Sequence, residues 1–301
     1  MRVPFREVSE RAGVLVRGPS GWGEFSPFPE YGPEITTRWY GSALEAATGA
    51  WPAPRRDRVP VNVTVPAVAP DVAHDLVTAS GCTTAKVKVG TRDDVARVEA
   101  VRDALGPRGR LRVDANAAWD VDEAEQAIRS LARFDLEYVE QPVAELADMA
   151  RLRRRIDVPL AADESVRTAA DPIRIADIEA ADIVVLKVQP LGGVGRALAV
   201  AEAAGLPAVV SSALETSIGI AAGIALAAAL PELPYACGLA TVTLLGGDVV
   251  ADPLLPSNGF IEVRRPEVDE DALGAHEPHS ARARDLTERF EKARALFEER
   301  V

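Results

Sequence analysis

Histidine and cysteine are scarce in this chain, with three and two copies among 301 residues. Cys82 and Cys237 cannot build a disulfide framework and point to a reducing compartment. His74, His276 and His279 fall outside every motif described below, which makes surface or loop positions the expectation for them. There is no basic block, and the net charge is −12, which argues against nucleic acid or an anionic membrane as partner. The most apolar stretch, Ile218 to Leu230 (IGIAAGIALAAAL), is too short to span a bilayer and stops at Pro231. It reads as a small-residue helix packed on a sheet. The N-terminal MRVPFREVSER has no apolar core of secretory length, so a cytoplasmic protein is expected. With 48% hydrophobic residues, the chain can bury a sizeable core as one large domain, or as one large and one small.

The most informative shortage is lysine. Of 34 basic residues only four are lysine, namely Lys86, Lys88, Lys187 and Lys292. Arginine serves elsewhere, yet three of the four lysines lie in apolar strand-like runs. Arginine stays protonated, whereas a buried lysine can give up its proton. In TTAKVKVG, Lys86 and Lys88 are two positions apart and share one strand face. Two like charges aimed at one place suggest that Lys86 keeps Lys88 deprotonated. The alternative is a salt bridge from Lys86 to Asp114 or to a helix residue.

Strand-like segments recur as VNVTVP, TAKVKV, LRVDAN, LEYVEQP, PLAADE, IVVLKVQ, PAVVSSA and YACGLAT. Helix-like segments separate them, including Asp93 to Leu105 and Val121 to Leu131 with apolar residues at helical spacing. The polar residues at the strand ends keep a near-constant interval. From Lys88 to Asp114 is 26 positions, to Glu140 another 26, to Asp163 23, to Lys187 24 and to Ser211 24. Eight strands alternating with helices predict an α/β fold, a TIM-type (βα)-barrel over residues 60–251. Residues 1–59 read as an antiparallel meander (VPFREV, GVLVRGP, GWGEFSP) followed by a helix over Thr36 to Thr48. Residues 252–301 contribute a strand from Phe260 and an amphipathic helix from Ala281 to Glu299. These two end segments together form a small α+β capping domain in this reading.

Parallel barrels carry their chemistry at the C-terminal strand ends. In strand order those ends read Lys88, Asp114, Glu140, Asp163, Lys187. Arg112, Asp114 and Asn116 share a face, as do Lys187 and Gln189. Three carboxylates on neighbouring strands, roughly 4.8 Å apart, repel one another unless a cation sits between them. All-oxygen ligands select a hard ion, Mg²⁺ first and Mn²⁺ second. Lys88 and Lys187 flank the trio and are expected to face each other across the pocket. A divalent ion beside a lysine base suits removal of a proton next to a carboxylate, with the ion stabilising the enediolate.

These residues resemble the enolase superfamily, muconate-lactonising subgroup, over essentially the whole chain. The matching motifs are Lys86–Val87–Lys88, Asp114–Ala115–Asn116, Val139–Glu140–Gln141–Pro142, Asp163–Glu164–Ser165 and Lys187. The resemblance implies a modified TIM barrel under a meander-plus-helix cap. It also implies magnesium ligation by Asp114, Glu140 and Asp163, with acid/base work by Lys88 and Lys187 in exchangeable roles. GWGEFSPFPEY (21–31), SSALETSIGIAAG (211–223) and CGLATVTLL (237–245) are similar to the branch that dehydrates a cyclohexadiene carboxylate to an aromatic acid. The same five residues also suit racemisation of N-succinylamino acids, dipeptide epimerisation or cycloisomerisation. A non-catalytic barrel that binds metal or a partner stands as the remote alternative. The expected partner is a small carboxylate substrate, and a monomer is expected. Specificity is assigned to the loop around Phe25 to Tyr31 and to Ser211 and Ser212, whose hydroxyls suit a distal carboxylate. Strand-to-helix capping is the competing role for that serine pair. Gly192–Gly193–Val194–Gly195 looks like a phosphate loop, but no lysine or serine follows at the required spacing. A helix N-terminus packed close to the sheet is the better reading.

Overall fold

The computed structural model describes residues 1–2, 8–168 and 173–300. In chain order the elements begin with β1 (Val14–Gly18), β2 (Gly21–Phe25), α1 (Pro33–Thr48), β3 (Arg58–Pro60) and β4 (Val63–Val65). The middle continues with α2 (Pro70–Ser80), β5 (Thr84–Lys88), α3 (Asp94–Leu105), β6 (Arg110–Asp114), α4 (Val121–Leu131), β7 (Leu136–Glu140) and α5 (Leu146–Arg153). Next come β8 (Leu160–Ala162), α6 (Glu164–Thr168), α7 (Ile173–Asp177), β9 (Ile183–Leu186), α8 (Val188–Leu191), α9 (Val194–Ala204), β10 (Ala208–Val210) and α10 (Ser217–Ala229). The chain ends with β11 (Phe260–Glu262), α11 (Glu270–Ala275) and α12 (Ser280–Glu298).

Strands β4 to β10 form one seven-stranded sheet in sequential order, and every neighbouring pair is parallel. Parallel neighbours require a crossover of helix length, which the 23- to 26-residue intervals supply. Ala85, Val87, Leu111, Val113 and Val139 face outward into the main core beneath the helices. The residues between them in the strands point into the barrel, as period-two alternation demands.

The expected eighth strand, YACGLAT, differs in the structure. It forms single bridges only, Cys237 with Val61 and Gly238 with Ser211, both parallel. Hydrogen bonds complete the ring on each side. Asn62 N donates to the Cys237 carbonyl at 3.0 Å, and Gly238 N to the Val210 carbonyl at 2.8 Å. The approach is so close that a Cβ on Gly238 would lie 2.6 Å from Ser211 Oγ. A few backbone bonds in place of a full ladder hold this stave, and side chains reinforce them. Arg112, fully buried on the inward face of β6, donates to the Ala236 carbonyl at 2.6 Å and to Asn62 Oδ1 at 3.3 Å. It also pairs with Glu137 at 2.5 Å, and its guanidinium lies against the rings of Tyr138 and Tyr235.

IVVLKVQ also departs from expectation. The strand stops at Leu186, and Lys187 is the residue that caps α8. Pro190 in the first turn of that helix has no N–H to lose there. Lys187 thus stays at the barrel rim while Gln189 turns away from it.

The cap is an antiparallel β1–β2 hairpin crossed by α1, with α12 laid on α1. Phe25, Trp39, Tyr40, Ala43 and Ala293 form its core, closed by Phe290 and Phe297. A Cβ on Gly23 would overlap the Ala43 carbonyl, so α1 can lie this close to β2 only over a glycine. The strand expected over VPFREV spans residues 3–8, of which 3–7 lie outside those described. β11 pairs antiparallel with β3. Helix α10 is buried over its whole length, as its small apolar residues require, and packs on β10 and on the cap strand β2. Among the described residues, no helix is long and apolar enough to cross a membrane.

Because Arg112 ties β6 to the bridging segment, R112M should leave Glu137 and the Ala236 carbonyl unpaired. Breaking a buried ion pair from one side costs about 3–5 kcal/mol. Urea unfolding followed by circular dichroism should show a loss of that size, and a loss under 1 kcal/mol would refute the role.

Candidate active site

The sheet register sets charged residues side by side. Lys88 lies beside Asp114, and Asp114 beside Glu140. One turn of the pleat deeper, Lys86 lies beside Arg112. Asp163 follows β8 directly, and Lys187 follows β9. Lys86, Lys88, Asp114, Glu140, Asp163 and Lys187 are all buried. A small cavity of about 30 Å³ at this rim is lined by Lys86, Lys88, Asp114 and Lys187, with Thr64, Ser211, Ser212 and Thr241. In a ring of eight staves, β5 and β9 are four apart, so Lys88 and Lys187 approach the cavity from opposite sides.

Buried charges must be paired, and here each carboxylate is engaged by a base. Lys88 Nζ donates to Asp114 Oδ2 at 2.5 Å and to Asn116 Oδ1 at 2.6 Å. Lys86 Nζ donates to both oxygens of Glu140 at 2.9 Å and lies 3.2 Å from Asp114 Oδ2. Lys187 Nζ donates to Asp163 Oδ2 at 2.6 Å. Sequence reasoning had the three carboxylates converging on one space the width of an ion. Among the described residues, no three His, Cys, Asp or Glu side chains converge in that way. The carboxylates are instead turned to the amines, because an unscreened buried carboxylate takes the nearest positive charge. Within this trio of carboxylates, Asp163 Oδ1 is buried without a hydrogen-bond partner.

Lys86 is salt-bridged to Glu140 and Asp114, and these outweigh the effect of burial and raise its pKa. For Lys88, burial is the largest influence. Asp114 opposes it, Lys86 reinforces it, and the pKa falls to about 8. Burial pushes Asp114 upward, but Lys88 and Lys86 outweigh it and hold the carboxyl well below the usual range. Asp163 is likewise held low against burial by Arg167 and Lys187. Glu140 moves the other way, raised by burial and by the neighbouring Asp114.

Asn116 adopts a left-handed conformation (φ 49°) just past β6. Its N–H donates to Asp114 Oδ1 at 3.0 Å, and asparagine tolerates that region better than most residues. Ser211 and Ser212 line the cavity. They do not cap α10, whose N-cap is Thr216; Ser212 Oγ lies 2.7 Å from Thr241 Oγ1. The three histidines stay outside the site. His74 is half-exposed on α2, while His276 and His279 are exposed.

Sequence reasoning missed Arg167. It is buried, and Nη2 donates to Asp163 Oδ2 at 3.2 Å and Glu164 Oε1 at 2.7 Å. Nη1 donates to Tyr31 Oη of the cap at 2.9 Å. Its spacing of four from Asp163 on a helical turn was the available signal. Thr64 and Thr241 were missed for want of any signal.

The cap docks on the barrel through two carboxylates. Glu45 of α1 accepts from Val194 N at 2.6 Å and Gly195 N at 2.9 Å. The glycine loop that resembles a phosphate site is therefore a helix N-terminus filled by the cap. Glu24 of β2 accepts from Ser26 Oγ at 2.6 Å, Thr216 Oγ1 at 2.5 Å and Gly219 N at 3.0 Å. Ser26 N in turn donates to Gln189 Oε1 at 3.1 Å, which explains why Gln189 turns away from the barrel interior. Next to this junction lies Glu215, buried, with Oε2 accepting from Ala213 N at 2.7 Å. Burial, and then Glu24, raise its pKa to about 7, while Arg11 pulls it down. An unfolded glutamate ionises near 4.5, so between that value and about 7 the native state holds a proton that the unfolded state has lost. Stability should therefore fall as pH rises through this window, by about 3 kcal/mol, and level off above it. In E215Q the fall in urea-unfolding free energy between pH 5 and 8 should be smaller by that amount, with Glu140, also raised by burial, supplying the remainder; an unchanged slope would place the linkage elsewhere.

Comparison with known proteins agrees with this architecture. A family profile described as Enolase C-terminal domain-like matches residues 69–268, and one described as Enolase N-terminal domain-like matches residues 1–47. The o-succinylbenzoate synthase of Thermobifida fusca (strain YX) is 64% identical over 278 residues, covering 91% of this chain and 88% of that protein. The o-succinylbenzoate synthase of Mycolicibacterium smegmatis is 50% identical over 289 residues, covering 92% of this chain and 88% of that one. Among solved structures, muconate cycloisomerase from Pseudomonas fluorescens superposes with a TM-score of 0.74 at 24% identity, over 88% of this chain and 97% of that one, a likeness of fold. With the profile matching 200 residues from 69 to 268 and the barrel rim built as described, the chain belongs to the enolase superfamily.

Proposed function

We propose that this chain is an o-succinylbenzoate synthase, a divalent-metal-dependent lyase. It dehydrates 2-succinyl-6-hydroxy-2,4-cyclohexadiene-1-carboxylate to 2-succinylbenzoate, a step of menaquinone biosynthesis. The observation that carries the chemistry is the pair Lys88 and Lys187, two amines on opposite staves facing one cavity beside acidic strand ends. The choice of substrate within the superfamily follows the 64% identical relative. Residues 1–59 with 252–301 form the cap in this reading, and residues 60–251 the catalytic barrel.

Asp114, Glu140 and Asp163 are the residues that would hold the ion. They are hard oxygen donors suited to Mg²⁺, or to Mn²⁺, and Asp163 Oδ1 is a buried acceptor without a partner. Charge supports the fit. With Lys88 as the neutral base, the rim holds three cations (Lys86, Lys187, Arg167) against four carboxylates (Asp114, Glu140, Asp163, Glu164). A divalent ion leaves excess positive charge there, which a dicarboxylate substrate offsets. When bound, the ion acts as a Lewis acid that stabilises negative charge building on the substrate carboxylate.

Lys88, as the neutral amine, takes the proton from the ring carbon that bears the carboxylate. The resulting ammonium returns that proton to the departing hydroxyl as the C–O bond breaks, and water leaves. One amine on one face does both, so proton and hydroxyl depart from the same side. Lys187 stays an ammonium beside Asp163 and balances the negative charge between the two steps. Lys86 fixes Glu140, and Asn116 orients Lys88. Ser211 and Ser212 supply hydroxyl donors for the distal carboxylate.

Turnover of the cyclohexadiene carboxylate with Mg²⁺ should be readily measured, abolished by a chelator and restored by Mg²⁺ or Mn²⁺. K88R keeps charge but removes the base, and should lower kcat by at least about 10²–10⁴-fold. Undiminished turnover in K88R would defeat the assignment. Racemisation of N-succinylamino acids without dehydration would replace the lyase reading with that of a racemase.

A further inference from the structure

Behind the catalytic cavity lies a larger one of about 870 Å³, between the cap hairpin, the segment around Gly246 and the C-terminal helices. Leu214 lines both spaces. The wall between them is made of Ser26, Phe28, Ala213 and Leu214. Phe28, Ala213 and Leu214 face the catalytic side, and Ser26 faces the other. Phe28, Ala213 and Leu214 pack with Leu244 as a small apolar cluster of their own.

One side chain fastens every part of this wall. Arg11 Nε donates to the Leu214 carbonyl at 3.2 Å, and Nη2 to the Ala213 carbonyl at 3.1 Å. Nη2 also donates to the Ser26 carbonyl, and the guanidinium stacks on the Phe28 ring at 4.3 Å. Leu214 sits at φ 63°, a left-handed conformation that costs a branched residue about 1–3 kcal/mol and persists only when its surroundings impose it. Arg11 holds it through two consecutive carbonyls, 213 and 214, while Glu215 Oε2 accepts from Ala213 N and Ser212 Oγ from Leu214 N. A planar fork with donors in fixed directions is needed, and lysine cannot reproduce it.

We infer that Arg11 is a positioning residue for specificity, the strut that keeps the catalytic cavity separate from the larger one and so limits the length of the substrate's non-reacting chain. The inference rests on the proposed function only for the identity of the test ligands. Arg11 touches no reacting atom, so its loss should act on binding and on chain-length preference, leaving the chemical step in place.

The test compares wild type, R11K and R11M in Mg²⁺. It uses steady-state turnover of the cyclohexadiene substrate, and inhibition by 2-succinylbenzoate and by a homologue whose acyl chain is two methylenes longer. In R11M, KM should rise about tenfold with kcat within about threefold. The ratio of inhibition constants should shift about tenfold toward the longer ligand, a factor within the range of one to two methylenes in an apolar pocket. R11K should shift the same way, because it loses the fork, and it keeps the test valid if R11M folds poorly. An unchanged ratio in a variant that melts near wild type overturns the inference. A crystal structure of the variant reads the wall directly. Joined cavities with Leu214 relaxed support the strut, and separate cavities refute it. That reading holds even if the wild type fails to turn over the cyclohexadiene substrate, an outcome that would count against the proposed function alone.

Discussion

Burying ionised groups at the mouth of an apolar barrel is the constraint on which the rest of this structure depends. Each such group is costly unless an opposite charge lies within reach. The parallel register meets that demand by placing Lys88 beside Asp114 and Asp114 beside Glu140. The loops just beyond β8 and β9 bring Asp163 against Lys187. The helices return the chain so that every strand runs in the same direction, and the outward apolar residues Ala85, Val87, Leu111 and Val113 anchor the strands beneath them. With charges balanced among themselves, the cluster is poised to be re-sorted by an added cation and an added anion.

Closure of the ring is economical. Seven strands carry the ladder, and the eighth position is held by two single bridges and by the buried Arg112. The same economy appears where the cap meets the barrel. Glu45 and Glu24 each fill a helix N-terminus, satisfying backbone N–H groups that would otherwise lack partners. These two contacts set the cap loop that carries Phe28 and Tyr31 over the strand ends. Tyr31 reaches Arg167, and Arg167 reaches Asp163, so the cap and the acidic rim share one hydrogen-bonded chain. Behind Phe28, the acids Glu24 and Glu215 and the base Arg11 form a second buried charged group. Burial first, and then the second carboxylate, Glu24, raise the pKa of Glu215 against the pull of Arg11.

Much of the rim was legible in the chain because lysine is rare here and the strand-end interval is regular. Lys88, Asp114, Glu140, Asp163 and Lys187 all lie at the rim where the interval puts them. The meander from Val14 and the helices α1 and α12 were legible, and α10 was legible as a run of small apolar residues stopped at Pro231. Legibility failed where a residue's role depends on something distant in sequence. YACGLAT reads as a strand by composition, but its partners are single residues on two different staves. Gln189 reads as a strand residue in register with Lys187. Instead the strand ends a residue before Lys187, and Gln189 serves a serine in the cap. The salt bridge of Lys86 and the turn of the carboxylates toward the amines were decided by which charges stand nearest once the sheet has formed.

The sequence by itself determined the alternation of strand and helix, and with it the barrel and the identity of the charged groups at its rim. Period-two and period-3.6 patterns and a constant repeat length are local properties of a chain. Only the tertiary structure decided which charge neutralises which, where the ring closes, and that Arg11, Glu24 and Glu45 fasten the cap. Those outcomes depend on distances between residues tens to hundreds of positions apart. Electrostatic and packing energies follow separation in space, and no spacing along the chain encodes it.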